Sequence, residues 1–158
     1  MMTFDDHLQL IRQQGHADAL ALREAAPTMT GTEIIAAEDK IPPWDNTKDY
    51  TGWSPGGPVA DEGQVWTLLQ PHNAAHYTGR PSGLRSLWGL VHTTDPDRAK
   101  PWVAPHGVSG LYMFEECCTY PMPDGTVHVF RNLHDKNQYP PFTQTVEHWW
   151  QDLGEVIA

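Results

Sequence analysis

None of the seven tryptophans in this 158-residue chain lies in its first 40 residues, and several of them mark a repeat. Gly63 is followed 25 residues later by Trp88, and Gly125 is followed 24 and 25 residues later by Trp149 and Trp150. The two glycines are 62 residues apart. A self-match at a fixed spacing indicates one structural unit that is used twice. We therefore predict two small modules of similar fold.

Modules of this size need large side chains in their cores. A unit of about 60 residues buries only about 60% of its unfolded surface and is marginally stable alone. One tryptophan side chain buries about 150–250 Å². We therefore expect the modules to pack on each other or on a partner chain. Six residues are assigned to their structural frame: Trp44, Gly63, Trp88, Trp102, Gly125 and Trp149.

The N-terminal segment, residues 1–40, is predicted to be a helical arm for attachment or oligomerisation. Phe4, Leu8 and Ile11 recur at helical spacing, and Gly15 is expected to divide the pattern into two short helices. Because the arm has few apolar residues of its own, it must dock on the first module or bundle with copies of itself.

A second helical signal lies near the end of this arm. Thr30 and Glu33 have the spacing of a capping box, in which each side chain bonds to the backbone N–H of the other residue. The pattern predicts a short helix that starts after Thr30. Its Ile34 and Ile35 need an apolar surface to cover them.

The chain changes character at Ile41, where Pro, Gly, Trp and Tyr become frequent and apolar runs become short. This composition is typical of small β structures. The motifs Asp61-Glu62-Gly63 and Pro123-Asp124-Gly125 indicate hairpin turns, because Asp and Gly suit tight turns. Strands are predicted at residues 58–60, 64–70, 87–92, 110–114, 117–120 and 126–133, with a last short element at 149–153.

The predicted fold class is mainly β with an N-terminal α-helical arm and two tandem small β modules. Residues 41–95 are predicted to form the first module and residues 102–158 the second. The segment 96–101 between them is polar and bounded by prolines, which is typical of a linker.

Charge and hydropathy exclude two classes of partner. The formal charge of −10 argues against DNA or RNA, because Lys and Arg contacts with phosphates supply most of the affinity for nucleic acids. No apolar run reaches the roughly 18 residues of a membrane span, so we expect no membrane insertion. The first residues lack the basic start and apolar run of a signal peptide, which predicts a protein made in the cytoplasm.

The titratable residues form no recognised catalytic pattern. Glu115 and Glu116 are adjacent, and neighbours on a strand point to opposite faces, so they are not the facing acid pair of a glycosidase. His72 and His76 have the spacing of helical zinc ligands but follow a proline in a loop. We predict no enzymatic activity, no cofactor and no metal. An alternative hypothesis puts three histidines around an ion on a trimer axis: His72, His106 and His134.

The only two cysteines, Cys117 and Cys118, are also adjacent. Neighbours on a strand cannot easily bridge to each other, so no disulfide framework is expected. We predict one buried thiol, which behaves as a small apolar side chain, and one half-exposed thiol.

Several features of the first module follow one another in the order of a known family. They are an opening tryptophan, a tyrosine-containing turn, a valine strand and a hairpin with an aromatic residue: Trp44, Tyr50-Thr51-Gly52, Pro58-Val59 and Gly63-Gln64-Val65-Trp66. This segment resembles the chitin-binding type 3 module, carbohydrate-binding module family 5/12. The second unit is similar, with Trp102, then residues 110–112, 125–128 and 140–141 before Trp149 and Trp150.

A longer series of motifs covers nearly the whole chain. The arm is followed by Ile-Pro-Pro-Trp, Gln-Pro-His, His-Thr-Thr-Asp-Pro, Lys-Pro-Trp-Val-Ala-Pro and Gly-Val-Ser-Gly-Leu-Tyr-Met, which begin at residues 41, 70, 92, 100 and 107. This arrangement resembles small structural proteins of tailed phages and prophages of Gram-positive bacteria. Genes of that kind tend to lie near tail-fibre and lysis genes, so the resemblance implies a virion or tail component.

The resemblance to carbohydrate-binding modules implies that exposed aromatic rings bind sugars. A flat apolar ring matches the C–H face of a pyranose. Trp53 lies in a loop rich in Gly and Pro, and Tyr77 lies in a similar polar loop. The expected carbohydrate-binding residues are Trp53, Trp66, Tyr77 and Tyr139.

The combined expectation is a non-enzymatic phage or prophage virion component, associated with a tail or fibre, that contacts host cell-surface glycan through these aromatics. Its expected partners are other virion or tail proteins, cell-surface polysaccharide and further copies of itself, with a trimer favoured. One alternative is a free carbohydrate-binding module that anchors an enzyme or lysin to polysaccharide. Another is a capsid or tail decoration protein that has no ligand.

Overall fold

The computed structural model describes residues 1–142 and 147–157, except for the side chain of Glu147. These residues contain two α-helices at the N-terminal end, followed by one β-sheet of three strands and one of four. The predicted fold class, mainly β with an N-terminal helical arm, is confirmed. No helix in the two described ranges combines enough length with enough apolar character to cross a membrane.

The first helix, α1 (Phe4–Ala25), is continuous, so the predicted break at Gly15 is wrong. Glycine in a helix interior costs only about 1 kcal/mol relative to alanine, and the turns on both sides are intact. The helix begins with a capping box that the sequence analysis missed. Thr3 Oγ1 accepts a hydrogen bond from Asp6 N at 3.1 Å, and Asp6 Oδ2 accepts one from Thr3 N at 2.9 Å.

The second helix, α2 (Gly31–Ala36), begins at the predicted capping box. Thr30 Oγ1 accepts a hydrogen bond from Glu33 N at 3.1 Å, and Glu33 Oε1 accepts one from Thr30 N at 3.0 Å. The two isoleucines of α2 are buried in one apolar cluster with Leu22 of α1 and Val65 of the first sheet. The two sheets with their surrounding loops are called the first unit (residues 41–95) and the second unit (from residue 100 onward). The arm therefore docks on the first unit through its C-terminal part.

The first sheet is a three-stranded antiparallel meander. Its strands are β1 (Pro58–Asp61), β2 (Gln64–Leu68) and β3 (Trp88–Leu90), in the order β1-β2-β3. Glu62 and Gly63 form the predicted hairpin turn between the first two strands, with φ values of 52° and 74°. Positive φ at both central residues gives the turn a twist that matches the flanking strands.

The second sheet has the order β4-β5-β6-β7. Its strands are β4 (Lys100–Pro101), β5 (Cys117–Pro121), β6 (Val127–Asn132) and β7 (Trp150–Glu155). The hairpin of β5 and β6 and the pair of β6 and β7 are antiparallel, whereas β4 pairs with β5 in parallel. Because β4 lies within the predicted linker 96–101, part of that segment belongs to the sheet.

The strand predicted at residues 110–114 is not formed. In that segment only Tyr112 makes a β-bridge, and its partner is Asn137. The backbone has positive φ at Gly110, 81°, and just beyond the segment at Glu115, 74°. Such values are incompatible with an extended strand, so the chain turns at both ends of the segment.

The two units share the way in which an opening tryptophan joins a hairpin. Trp44 N donates a hydrogen bond to Ala60 O at 2.8 Å in the first unit. Trp102 N donates one to Thr119 O at 2.9 Å in the second. In both cases the acceptor belongs to the first strand of the hairpin, β1 or β5. The repeat read from glycine and tryptophan spacing therefore has a counterpart in the backbone geometry.

In each sheet, the strand that follows the hairpin begins with a buried tryptophan. Trp88 begins β3 opposite Leu68, and Trp150 begins β7 opposite Asn132. Their exposed fractions are 0% and 5%. The frame position predicted for Trp149 is taken by Trp150, because Trp150 begins β7 whereas Trp149 ends the 3₁₀ turn that precedes the strand. Trp149 is half-buried at the edge of the second core.

A buried tyrosine completes each core. Tyr50 and Tyr112 lie edge-on against the tryptophans that begin β3 and β7, with ring centroids 5.2 and 5.3 Å apart. Each hydroxyl oxygen accepts a hydrogen bond from the residue after the opening tryptophan, from Asp45 N at 3.0 Å and Val103 N at 3.2 Å. Burial raises the pKa of both phenols, so they remain neutral.

Three buried polar side chains of the first unit connect it to the second: Gln64, Arg85 and His92. They donate hydrogen bonds of 2.8, 3.2 and 2.9 Å to backbone carbonyls of the second unit, those of Pro101, Ala104 and Gly110. Leaving such a group without its partner costs about 1–3 kcal/mol, so these bonds hold the two units in one arrangement. The units pack on each other, as their small size predicts.

Replacing Trp66 with alanine is expected to lower the free energy of unfolding by about 3–5 kcal/mol, because it leaves a cavity in the first core. Trp66 is 1% exposed, and the Arg85 guanidinium lies 5.2 Å from its ring centroid. Urea denaturation measures the effect. The control Tyr77→Ala, at a residue that is 46% exposed, should change stability by less than about 1 kcal/mol. Equal losses in the two variants would contradict the assignment of Trp66 to the core.

Candidate functional site

A groove of about 680 Å³ opens on the first unit between two loops. One loop lies before β1, and the other follows β2. The groove combines aromatic rings with a carboxylate, an amide and a guanidinium. Its lining residues are Pro43, Trp44, Asp45, Asn46, Ala75, Tyr77, Thr78, Gly79 and Arg80.

Backbone hydrogen bonds join the two loops at their base. Tyr50 N donates to His72 O at 2.8 Å, and Ala74 N donates to Lys48 O at 2.9 Å. Because Tyr50 is itself anchored in the core, the pairing transmits the order of the core to both loops. The groove walls are therefore held in place by the fold and do not depend on a ligand to order them.

Trp44 and Arg80 lie side by side in the groove. The Trp44 ring packs against the first core, and its Nε1 is buried without a hydrogen-bond partner in the described part of the chain. The Arg80 guanidinium carbon is 5.6 Å from the centroid of that ring. Asp61 holds the guanidinium in two hydrogen bonds, of 2.9 Å from Nη2 and 3.0 Å from Nε. These bonds with Asp61 raise the pKa of Arg80, which stays cationic.

The loop that carries Trp44 also presents Asp45 to the groove. Asp45 Oδ1 accepts hydrogen bonds from Thr47 N at 2.8 Å and Thr47 Oγ1 at 2.7 Å. The Thr47 hydroxyl, followed by its N–H, lowers the pKa of Asp45. The carboxylate is therefore ionised and exposed at neutral pH, next to the exposed Asn46 amide.

Tyr77 forms the aromatic part of the opposite wall. Its ring lies edge-to-face on His72, with centroids 5.3 Å apart and an interplanar angle of 88°. His72 Nδ1 lies 2.8 Å from Gln70 O, and since a carbonyl only accepts, Nδ1 donates. This bond fixes the imidazole against which Tyr77 rests. With 46% of Tyr77 exposed, part of its ring remains available to a ligand.

Of the four residues predicted to bind carbohydrate, only Tyr77 lines this groove. Trp66 is 1% exposed and Trp53 is 8% exposed, so the expectation that their ring faces are open to a sugar is wrong. Trp53 packs edge-on against Tyr50 with centroids 4.8 Å apart, and the Arg23 guanidinium of α1 lies 4.5 Å from its ring centroid. Its Gly- and Pro-rich loop folds inward because α1 covers it.

Tyr139 lies in the second unit, outside the groove. It is 38% exposed and contacts Trp149 edge-on, with ring centroids 5.7 Å apart. The exposed His134 stacks on the same indole at 3.5 Å with an interplanar angle of 4°. The second unit therefore carries an aromatic cluster of its own at the edge of its core.

In the two described ranges, no three His, Cys, Asp or Glu side chains come together as metal ligands. His72 is 5% exposed, so it is not available to an ion on a trimer axis.

Cys117 and Cys118 are both buried free thiols, and the expectation of a half-exposed thiol is wrong. Burial raises the pKa of both cysteines, which makes them unreactive.

A second cavity, of about 690 Å³, lies where the helices meet both units. His92 and Glu116 belong to its otherwise largely apolar lining. Burial lowers the pKa of His92 to about 4, and burial raises the pKa of Glu116 to about 7. His92 Nε2 donates to Gly110 O and the His92 ring stacks on Tyr112 at 3.7 Å. These contacts give the imidazole a structural role between the units.

No protein-family model matches this chain, and no curated protein matches it significantly. The chemistry of the groove is therefore interpreted from its own residues.

Sequence reasoning assigned Trp44 to the frame alone and did not single out Asp45 or Arg80. The sequence feature that could have indicated these residues is the polar character of the two loops to which Asp45 and Arg80 belong. The bond between Arg80 and Asp61 joins residues 19 positions apart, so no local pattern contains it. Only the folded chain brings the guanidinium beside the indole.

Replacing Glu116 with glutamine is expected to change the pH dependence of stability. Between about pH 4.5 and 6.5 the native chain keeps a proton on Glu116 that the unfolded chain has lost, so stability falls as pH rises. In the same window the unfolded chain binds a proton on His92 that the native chain lacks, so stability rises with pH. The two effects offset each other in the natural chain.

Glu116→Gln removes the first effect and leaves the second. The free energy of unfolding should then rise with pH across this window, relative to the natural chain, by up to about 1.4 kcal/mol per pH unit. Urea titrations at several pH values measure the difference, with Glu115→Gln as the exposed control. Parallel profiles for the natural chain and Glu116→Gln would show that Glu116 keeps its ordinary pKa.

Proposed function

We propose that this protein is a non-enzymatic component of a tailed-phage or prophage particle that contacts polysaccharide through the groove on its first unit. The observation that carries the glycan part is the convergence of Trp44 and Tyr77 with Asp45, Asn46 and Arg80 around one open groove. The particle part rests on the resemblance of the motif series to small structural proteins of tailed phages.

The groove offers both kinds of contact that a sugar needs. A pyranose has an apolar C–H face that packs on aromatic rings and hydroxyl groups that need donors and acceptors. Tyr77 and Trp44 supply the aromatic surface, Asp45 accepts hydrogen bonds, and Arg80 donates them. Because Arg80 is already held by Asp61, a ligand loses little affinity to ordering this side chain.

The charge of the chain favours one class of glycan. A formal charge of −10 repels anionic wall polymers, so neutral polysaccharides are the expected ligands. The same charge keeps the protein soluble at the high local concentration of a particle surface.

Repetition in a particle would compensate for a weak site. A single open groove with one exposed ring is expected to bind weakly, whereas several copies on one surface bind with an avidity that exceeds the single affinity. A homo-oligomer within a particle meets this requirement. A free carbohydrate-binding module, the main alternative, would use the same groove as a monomer, and oligomeric state distinguishes the two.

The Tyr77→Ala variant is expected to bind neutral oligosaccharides about tenfold more weakly, because one aromatic contact contributes about 1–1.5 kcal/mol. A glycan array probed with the natural chain identifies the ligand. Isothermal titration calorimetry with that oligosaccharide then measures the change in affinity. Tyr77→Phe keeps the ring and should retain most of the affinity. Tyr139→Ala removes an exposed tyrosine of the second unit and should have no effect.

A natural chain that binds no glycan on the array would favour the ligand-free decoration protein instead. Equal affinities for Tyr77→Ala and the natural chain would move the contact away from this groove.

A further inference from the structure

The first half of α1 presents an apolar stripe that the described chain does not cover. Phe4, Leu8, Ile11 and Gly15 are separated by 4, 3 and 4 residues, and Leu22 continues the series one heptad after Gly15. This spacing places all five on one face of the helix. Leu22 is buried against the first unit, whereas Phe4 is 76% exposed and Ile11 is 68% exposed. The same face of α1 is therefore buried against the first unit near the C-terminal end of the helix and exposed to solvent near its N-terminal end.

A crevice of about 400 Å³ lies at the midpoint of this stripe. Its walls combine Gly15, Ala19, Ile41 and Pro42 with five polar residues: Arg12, His16, Asp18, Asp39 and Lys40. At Gly15, the position that a Cβ atom would take has no heavy atom within 4 Å. A cavity of about 150 Å³ already accommodates benzene. The crevice therefore has room for a phenyl ring, and the missing side chain at Gly15 helps to create that room.

We propose that two copies of this chain pair through antiparallel α1 helices, with Phe4 of each copy inserted in the crevice beside Gly15 of the other. This inference deepens the proposed function, since it rests on the protein being a homo-oligomer. In an antiparallel pair whose twofold axis passes between positions 9 and 10, Phe4 lies opposite Gly15 and Leu8 lies opposite Ile11. The largest side chain of the stripe thus meets the smallest residue.

The charges beside the stripe fit the same arrangement. Asp5 follows Phe4 and Arg12 follows Ile11, so both flank the stripe on the same side of α1. Antiparallel helices bring these flanks together, so that Asp5 of one copy lies near Arg12 of the other, twice by symmetry. Neither residue takes part in a salt bridge within the described ranges. A parallel bundle would place each of them at the level of its own counterpart.

This interface can join only two copies. A surface that is related to itself by a twofold axis is used up in the dimer, so the pairing assigns order two in place of the trimer that the phage resemblance favours. The groove of the first unit lies on other residues and remains open in both copies. The pair would thus present two grooves, which is the minimum needed for avidity.

The first experiment measures mass against concentration by sedimentation equilibrium on the full chain. We expect a dimer for the natural sequence. Phe4→Ser should raise the dissociation constant by about 100-fold or more, because each pair buries two phenyl rings. The matched control is Leu10→Ser, which removes an apolar side chain that is 50% exposed on α1 but lies away from the stripe. It should leave the dissociation constant unchanged.

The second experiment exchanges the charges. Asp5→Arg and Arg12→Asp should each raise the dissociation constant by about tenfold, because both ion pairs of the dimer become like-charge contacts. A mixture of these two variants should form heterodimers as tight as the natural dimer. The double exchange in one chain should restore the homodimer. In a parallel bundle neither the single exchanges nor the double exchange would change the homodimer, because each position would still face a like charge on its counterpart.

The variant Gly15→Leu distinguishes an effect on pairing from an effect on folding. Leucine has a higher helix propensity than glycine, so the variant should melt at the same or a higher temperature by circular dichroism. It should nevertheless dissociate more readily, because the new side chain occupies the space of the partner's Phe4.

The proposal is overturned by a natural chain that stays monomeric at high concentration, or by an oligomer that Phe4→Ser and the single charge exchanges leave unaffected. Binding of a soluble oligosaccharide by Phe4→Ser tests the groove independently, since it needs only one copy. Loss of pairing with intact oligosaccharide binding would refute this proposal alone. Intact pairing without oligosaccharide binding by the natural chain would refute the glycan function alone.

Discussion

The structure depends on a buried tyrosine whose hydroxyl accepts a hydrogen bond from the loop after the opening tryptophan. The Tyr50 hydroxyl accepts a hydrogen bond from Asp45 N at 3.0 Å, and the Tyr112 hydroxyl accepts one from Val103 N at 3.2 Å. In a core this small, one ring that fills volume and also satisfies a backbone N–H meets two requirements together. In the first unit the same bond positions Asp45 and the adjoining Trp44, so the core tyrosine sets one wall of the groove.

Neither unit is organised independently of the other. The helices complete the apolar cover of the first sheet, and the side chains of Gln64, Arg85 and His92 bond to carbonyls of the second unit. His92 remains neutral because burial disfavours its charged form, and it can therefore stack on Tyr112 between the units.

The candidate site was only partly predictable from sequence. Tyr77 was identified because its loop is polar and rich in turn residues, which keeps an aromatic ring at the surface. Trp53 was misassigned by the same criterion, since its loop is covered by Arg23 of α1, a residue 30 positions away in the chain. Arg80 was missed because its anchor, Asp61, lies on a different element. Exposure and long-range ion pairs depend on neighbours that a local pattern does not contain.

The sequence by itself determined the elements that are encoded locally. Turn glycines, the capping box at Thr30 and the recurrence of tryptophan after Gly63 and Gly125 act through neighbouring residues and through spacing, so the hairpins and the repeated plan follow from them. Tertiary structure decided which faces are covered. It kept α1 continuous through Gly15, placed Trp150 in the core, buried Trp66 and left the Phe4 stripe bare, because burial is a property of packing between distant segments.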